Sequence, residues 1–129
     1  MLSTEESAGT LLASLLRTAD TYSPEMNNNA RYKGVLLTID ATVEADTASV
    51  QAKIEFLNPA TKEWEAYLSG PTMDAVGEKH WIIYPLSGLA TDLGLDNESS
   101  APLPTIWRLF MDASDADALT YSVGYQYLP

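Results

Sequence analysis

Between residues 35 and 43 the chain changes character at every second position. Val35, Leu37, Ile39, Ala41 and Val43 alternate with Leu36, Thr38, Asp40, Thr42 and Glu44. Successive side chains of an extended strand point to opposite faces, so this period of two describes a strand with its odd positions inward. The pattern recurs twice. Val50, Ala52, Ile54 and Phe56 alternate with Gln51, Lys53, Glu55 and Leu57; Trp64, Ala66 and Leu68 alternate with Glu63, Glu65 and Tyr67. Asn58-Pro59-Ala60-Thr61 supplies turn chemistry between the last two, and residues 45–48 join the first pair. Such short connections favour antiparallel neighbours, so the three segments are expected to form a meander.

The rest of the chain is punctuated in the same way. Ser69-Gly70-Pro71 is expected to break the sheet, and residues 79–86 (KHWIIYPL) to form a fourth strand. Residues 87–104 are a polar excursion holding Gly88, Gly94, Pro102 and Pro104. It is too long for a passive connection, which typically takes about 4–6 residues. Residues 105–111 are apolar on both faces, as near a sheet centre. Leu119, Tyr121, Val123, Tyr125 and Tyr127 give the inward side of a last strand.

Residues 10–19 read two ways, with a first strand preferred. Leu11, Leu12, Leu15 and Leu16 match a helical stripe behind Ser3 and Glu6 in capping-box spacing, yet the run is short enough for a first strand. Residues 1–10 are small and polar and are expected to form a flexible arm. The expected architecture is all-β: an antiparallel β-sandwich of jelly-roll type with about seven strands. Residues 11–129 form its single domain.

Charge narrows the function classes. Eighteen acidic residues against seven Lys and Arg leave a formal charge of −11. That balance repels phosphate backbones and anionic lipid surfaces, so neither nucleic acid nor membrane is an expected partner. The first residues carry Glu5 and Glu6 instead of a basic leader segment, and no apolar run approaches the roughly 20 residues that span a bilayer. Synthesis in the cytoplasm is the expectation. Cysteine is absent, so disulfides and thiolate metal sites are ruled out and the apolar core must stabilise the fold.

Chemistry is sparse. His80 is the sole histidine, and no GxSxG elbow or second base accompanies it. No catalytic residue is therefore assigned. Asp112, Asp115 and Asp117 flank one turn, and Asp92, Asp96 and Glu98 fall in the excursion. Neither group has EF-hand spacing, and Asp favours turns by bonding its own backbone, so no metal or other cofactor is expected. Aromatic residues are the more telling material. Trp64, Trp81, Tyr121 and Tyr125 take inward positions, whereas Tyr67 and Tyr84 alternate outward, where tyrosines suit interfaces or a carbohydrate-binding face.

Three stretches share an ordered set of elements: NNARYKGVLLTIDATV (28–43), ASVQAKIEFLNPATKEWEAYLSG (48–70) and PTIWRLFMDASDADALTYSVGYQYL (104–128). They hold Asp40-Ala41-Thr42 after an apolar strand and Asn58-Pro59-Ala60-Thr61 at a turn. Pro104-Thr105-Ile106-Trp107-Arg108 and Tyr121-Ser122-Val123 follow on either side of an acidic turn. In this order they resemble a family of small tailed-bacteriophage structural proteins, capsid-associated and decoration-like. The resemblance implies a β-sandwich virion component without enzymatic activity, located on the capsid surface. Its implied partners are the major capsid protein or other virion subunits, and further copies of itself in a small homo-oligomer such as a trimer. A head–tail connector, neck or tail subunit is the alternative within the particle, and a carbohydrate-binding module the alternative outside it. The expected interface residues are Leu11, Leu12, Tyr67, Tyr84, Leu93 and Leu95. The excursion at residues 87–103 exceeds the family pattern and would be a gained contact loop.

Overall fold

The computed structural model describes residues 7–44 and 47–129. The chain runs in order through β1 (Ala8–Arg17), β2 (Thr21–Tyr22), β3 (Met26–Asn27), β4 (Gly34–Glu44), β5 (Val50–Leu57), β6 (Trp64–Met73) and β7 (Gly77–Ile83). A five-residue helix α1 (Leu89–Leu93), β8 (Asn97–Ser99), β9 (Ile106–Ala113) and β10 (Leu119–Leu128) complete it. One sheet has the order β1-β10-β4-β7-β8. The other has the order β2-β9-β5-β6, with β3 also paired to β9. All pairings are antiparallel except β7 with β8. The two sheets form a β-sandwich, and the core lies between them.

The alternation expected of β4, β5 and β10 is what closes that core. Val35, Leu37, Ile39 and Ala41 face Val50, Ala52 and Ile54, with Leu119, Tyr121, Val123 and Tyr127 beside them. Trp81 and Trp107, one from each sheet, are the largest fully buried side chains. Each fully buried large apolar side chain contributes roughly 1.5–3 kcal/mol. A cysteine-free chain has to draw its stability from such contacts.

Four expectations are corrected by the pairing. The first is the meander: β4 and β5 lie in different sheets. β4 is flanked by β10 and β7, so both its edges are taken, while β5 pairs with β6 and β9. Only β5–β6 is the hairpin foreseen.

The second correction concerns β6, which does not stop at Ser69-Gly70-Pro71 but runs to Met73. Gly70 and Pro71 together oppose Ala52, between the pairs Gln51–Thr72 and Lys53–Ser69. This is a β-bulge on an edge strand, where a missing proline N–H is tolerated. A second bulge leaves Tyr67 unpaired between Ile54–Leu68 and Glu55–Ala66. One extra residue shifts the phase of the strand. Leu68 therefore lies on the inner side, whereas Trp64 and Ala66, expected inward, align with Leu57 and Glu55 on the outer face.

The third lies in β1. The stripe of leucines is a strand with irregular register against β10, and Leu11 falls in the gap between Thr10–Gly124 and Leu12–Val123. As a result Leu11 and Leu12, though adjacent, are both buried, and Leu15 and Leu16 are exposed. Arg17 folds back over the irregular stretch, donating to the carbonyls of Ala13 at 2.7 Å and Tyr121 at 2.6 Å. Ala8, Gly9 and Thr10, expected in the arm, belong to the β1 ladder. Of the rest of the arm, Ser7 accepts the Tyr127 N–H on its carbonyl at 2.6 Å, and residues 1–6 lie outside the described residues.

The fourth is the excursion, which has secondary structure of its own. β8 adds to the sheet edge beside β7, and α1 sits on the outside of that sheet. Glu98 holds the two together. Its carboxylate accepts the backbone N–H groups of Gly88 at 2.9 Å and Ala90 at 3.1 Å, and the Ser100 hydroxyl at 3.2 Å.

Candidate binding surfaces

The outer face of the β1-β10-β4-β7-β8 sheet carries a small apolar cluster separate from the main core. Ile82 pairs with Leu36 and points outward, yet it is buried because the excursion covers it. Ile82, Tyr84, Leu86, Leu89, Leu93, Leu128 and Pro129 line a shallow groove of about 290 Å³. Leu86 and Leu93 remain well exposed at its rim, at 57% and 58%. Tyr84 is pinned there by its hydroxyl, which donates to the Pro129 carbonyl at 2.8 Å.

The outer face of the other sheet is built differently. Register sets Gln51 beside Asp112, Lys53 beside Phe110 and Glu55 beside Arg108. Tyr22 stacks on Phe110 with centroids 4.7 Å apart and planes within 10°. The Arg108 guanidinium then lies 4.1 Å from the Tyr22 ring and 4.5 Å from the Trp64 ring. The result is a continuous column, Phe110–Tyr22–Arg108–Trp64, crossing the sheet. Arg108 also donates to Glu55 at 2.7 Å, and Lys53 pairs with Asp112 at 2.7 Å. All four charges are thus neutralised by a neighbour. Beside the column, small side chains on β6 leave a trough of about 180 Å³ lined by Lys53, Ile54, Glu55, Ala66, Tyr67, Leu68, Ser69 and Phe110.

The expected interface residues separate into three groups. Leu11 and Leu12 are closed within the core. Tyr84, Leu93 and Leu95 belong to or adjoin the apolar cluster around α1, with Leu95 half-buried and its N–H bonded to the Ala90 carbonyl at 2.7 Å. Tyr67 lies on β6 of the other sheet, where its hydroxyl donates to the Pro102 carbonyl at 2.7 Å and its ring meets Phe56 edge-on. Burial there pushes its phenol pKa upward. Of the residues expected in the core, Trp81 and Tyr121 are fully buried, Tyr125 packs against the core, and Trp64 caps the outer column.

Phe110, Arg108, Tyr22 and the small residues Ala66 and Ser69 were not foreseen as a surface. A signal was present: Arg108 and Phe110 alternate with the inward Trp107, Leu109 and Met111, which puts an aromatic and a cation on one outward row.

His80, Asp96, Asp112, Asp115, Asp117 and Glu98, singled out in the sequence, bond to groups of the chain itself. His80 sits on the outer sheet face with Nε2 3.6 Å from Glu78 and Nδ1 4.0 Å from Asp96, which also accepts the His80 backbone N–H. Asp115 accepts the Asp117 N–H, Asp117 accepts the Thr47 hydroxyl, and Asp112 binds Lys53. Among the described residues no group of three or more His, Asp or Glu is arranged to hold a metal ion. No described helix is long and apolar enough to cross a membrane. The two backbone N–H donors from Gly88 and Ala90 hold the Glu98 carboxyl below the usual carboxylate range.

No protein-family model matches the chain, and neither does any curated sequence. Solved structures with a similar chain path include the SPBc2 prophage-derived protein YomS. It shares 11% identity over 93% of this chain and 90% of that one, with a TM-score of 0.45. The xylan-binding domain from CBM 22 is 14% identical over 92% of this chain and 82% of that one, at 0.47. The C-terminal family 22 carbohydrate binding module of Clostridium thermocellum Xyn10B is 13% identical over the same shares, at 0.46. At these identities the likeness is one of fold alone.

Proposed function

We propose that this chain is a non-catalytic structural protein of a tailed-bacteriophage virion, a decoration or cement subunit on the outer shell. The observation that carries the reading is the apolar patch that the excursion builds around α1. Leu93 is held outward on a helix fastened by Glu98, with Leu86 exposed on the segment before it, around a groove rimmed by Leu89, Leu128 and Pro129. Exposed apolar clusters with polar surroundings are typical of surfaces that meet another protein. The elements of the family resemblance fit the same picture, because they are structural joints. Asp40-Ala41-Thr42 lies in β4 at its register shift against β10, and Asn58 closes the β5–β6 turn by accepting the Ala60 N–H at 2.8 Å.

Charge favours a basic partner. Arg17, Lys53, Lys79 and Arg108 are turned onto carbonyls, carboxylates or rings of the chain itself. The exterior keeps the excess acidity, which suits a basic shell surface and steers docking. Repetition over a lattice lets modest contacts add through multivalency. Self-association as a trimer at threefold sites belongs to the same proposal.

Quantitative mass spectrometry of purified particles, scaled to the major capsid subunit, tests it. Hundreds of copies per particle are the expected result. A dozen or fewer would move the protein to the neck or tail, and absence from particles would refute a virion role.

A further inference from the structure

The trough on the outer face of the β2-β9-β5-β6 sheet has chemistry that shell docking leaves unused. The chain as a whole carries −11, yet this face is balanced, with Lys53 and Arg108 set against Glu55 and Asp112. A balanced face offers nothing to attract an ion and nothing to repel an uncharged ligand. Its polar groups are already fixed in place. Glu55 and Arg108 have side chains only 16% and 23% exposed and hold each other at 2.7 Å, and the rings of Tyr22 and Trp64 clamp the guanidinium. Side chains immobilised before binding lose little entropy when a ligand arrives.

Size and lining narrow the ligand further. Sites for drug-sized molecules run to about 300–1,000 Å³. At about 180 Å³ the trough suits a single ring. Space exists because β6 presents Ala66 and Ser69 here, opposite Glu55 and Lys53. The lining pairs an aromatic wall (Phe110) with a carboxylate, an ammonium and a hydroxyl (Glu55, Lys53 and Ser69). A pyranose or furanose ring presents the matching surface, an apolar C–H face with hydroxyls around its edge. We infer that the trough between β9, β5 and β6 is a subsite for one neutral sugar residue of a glycan chain. The open edge of β6 leaves room for the chain to run on past Ser69 or Trp64. A sugar subsite on this face does not depend on where the protein sits on a particle.

The test is retardation of the full chain in native gels containing soluble neutral polysaccharides: β-glucan, mannan, dextran and arabinan. Dextran sulfate is the charged control. At least one neutral polymer is expected to retard the protein, and dextran sulfate is not. Ala66→Trp fills the trough from an exposed edge-strand position and should weaken the retarding interaction about tenfold or more. Ser69→Trp is the second blocking variant, and thermal melting checks that either one folds. No retardation by any neutral polymer would overturn the assignment. So would retardation that survives a folded blocking variant, or binding confined to dextran sulfate.

Discussion

Gly70 offers the sharpest test of how the two sheets close on each other. It lies in the bulge of β6, and a Cβ built there would meet three ring carbons of Trp81 at 2.5–2.6 Å. Trp81 belongs to the opposite sheet and is fully buried, and its indole N–H donates to Ser99 Oγ at 3.0 Å. The ring is rigid and surrounded, so Gly70→Ala must displace it. Overpacking of this kind costs about 1–3 kcal/mol. Against that, Ala restricts the unfolded chain and returns about 0.4–1 kcal/mol. The net expectation is a loss of about 1–2 kcal/mol, or roughly 4–8 °C in Tm for a domain of this size. Urea denaturation followed by tryptophan fluorescence measures it. Gly124→Ala is the internal control, because its Cβ would meet only the Gly9 carbonyl oxygen at an ordinary 3.5 Å. It should be neutral or mildly stabilising. If Gly70→Ala is as stable as the parent while Gly124→Ala behaves as expected, the close approach of β6 to Trp81 is wrong.

Three further outcomes follow from particular contacts. Arg108→Met should destabilise by about 2–3 kcal/mol in chemical denaturation, because it strips Glu55 of its partner and removes the guanidinium from between the Tyr22 and Trp64 rings. Glu98 has its pKa lowered in the folded state by the Gly88 and Ala90 N–H groups. Its contribution is therefore present above the ordinary carboxylate pKa and lost as pH falls through the lower folded value. Amide shifts of Gly88 and Ala90 should titrate in that acidic range, and Glu98→Gln should abolish the titration. Burial raises the Tyr127 phenol to about 12. That raised value makes its contribution complete below about pH 10 and lost as pH rises toward 12. In an absorbance titration Tyr127→Phe should remove the last-titrating phenol; a lower-pH step lost instead would contradict this.

Two things were legible in the sequence itself: that the chain is all-β, and which positions of β4, β5 and β10 are buried, except past the register shift at Thr42, where Val43, expected inward, is turned out and exposed. Val35 to Ala41 alternate because a strand's two faces differ at every residue, and that signal is local. Turn chemistry at Asn58-Pro59 was local too, and the β5–β6 hairpin followed from it. Where a single residue interrupts the period, the local signal loses its phase. Tyr67 is indistinguishable in sequence from its neighbours, yet as the odd residue of a bulge it turns Trp64 from the expected core to the outer column. Leu11 and Leu12 mimicked a helix because irregular register in β1 buries two adjacent positions.

Only the tertiary structure decided which strands share a sheet. β4 finds its partners at β10 and β7, far along the chain, so no pattern around residue 40 could exclude β5. The same holds for the surfaces. Tyr22, Phe110, Arg108 and Trp64 come from β2, β9 and β6, and their column exists only once those strands are side by side. Patterning decides burial one residue at a time, whereas a binding surface is a property of neighbours, and the sandwich chooses those neighbours by long-range pairing.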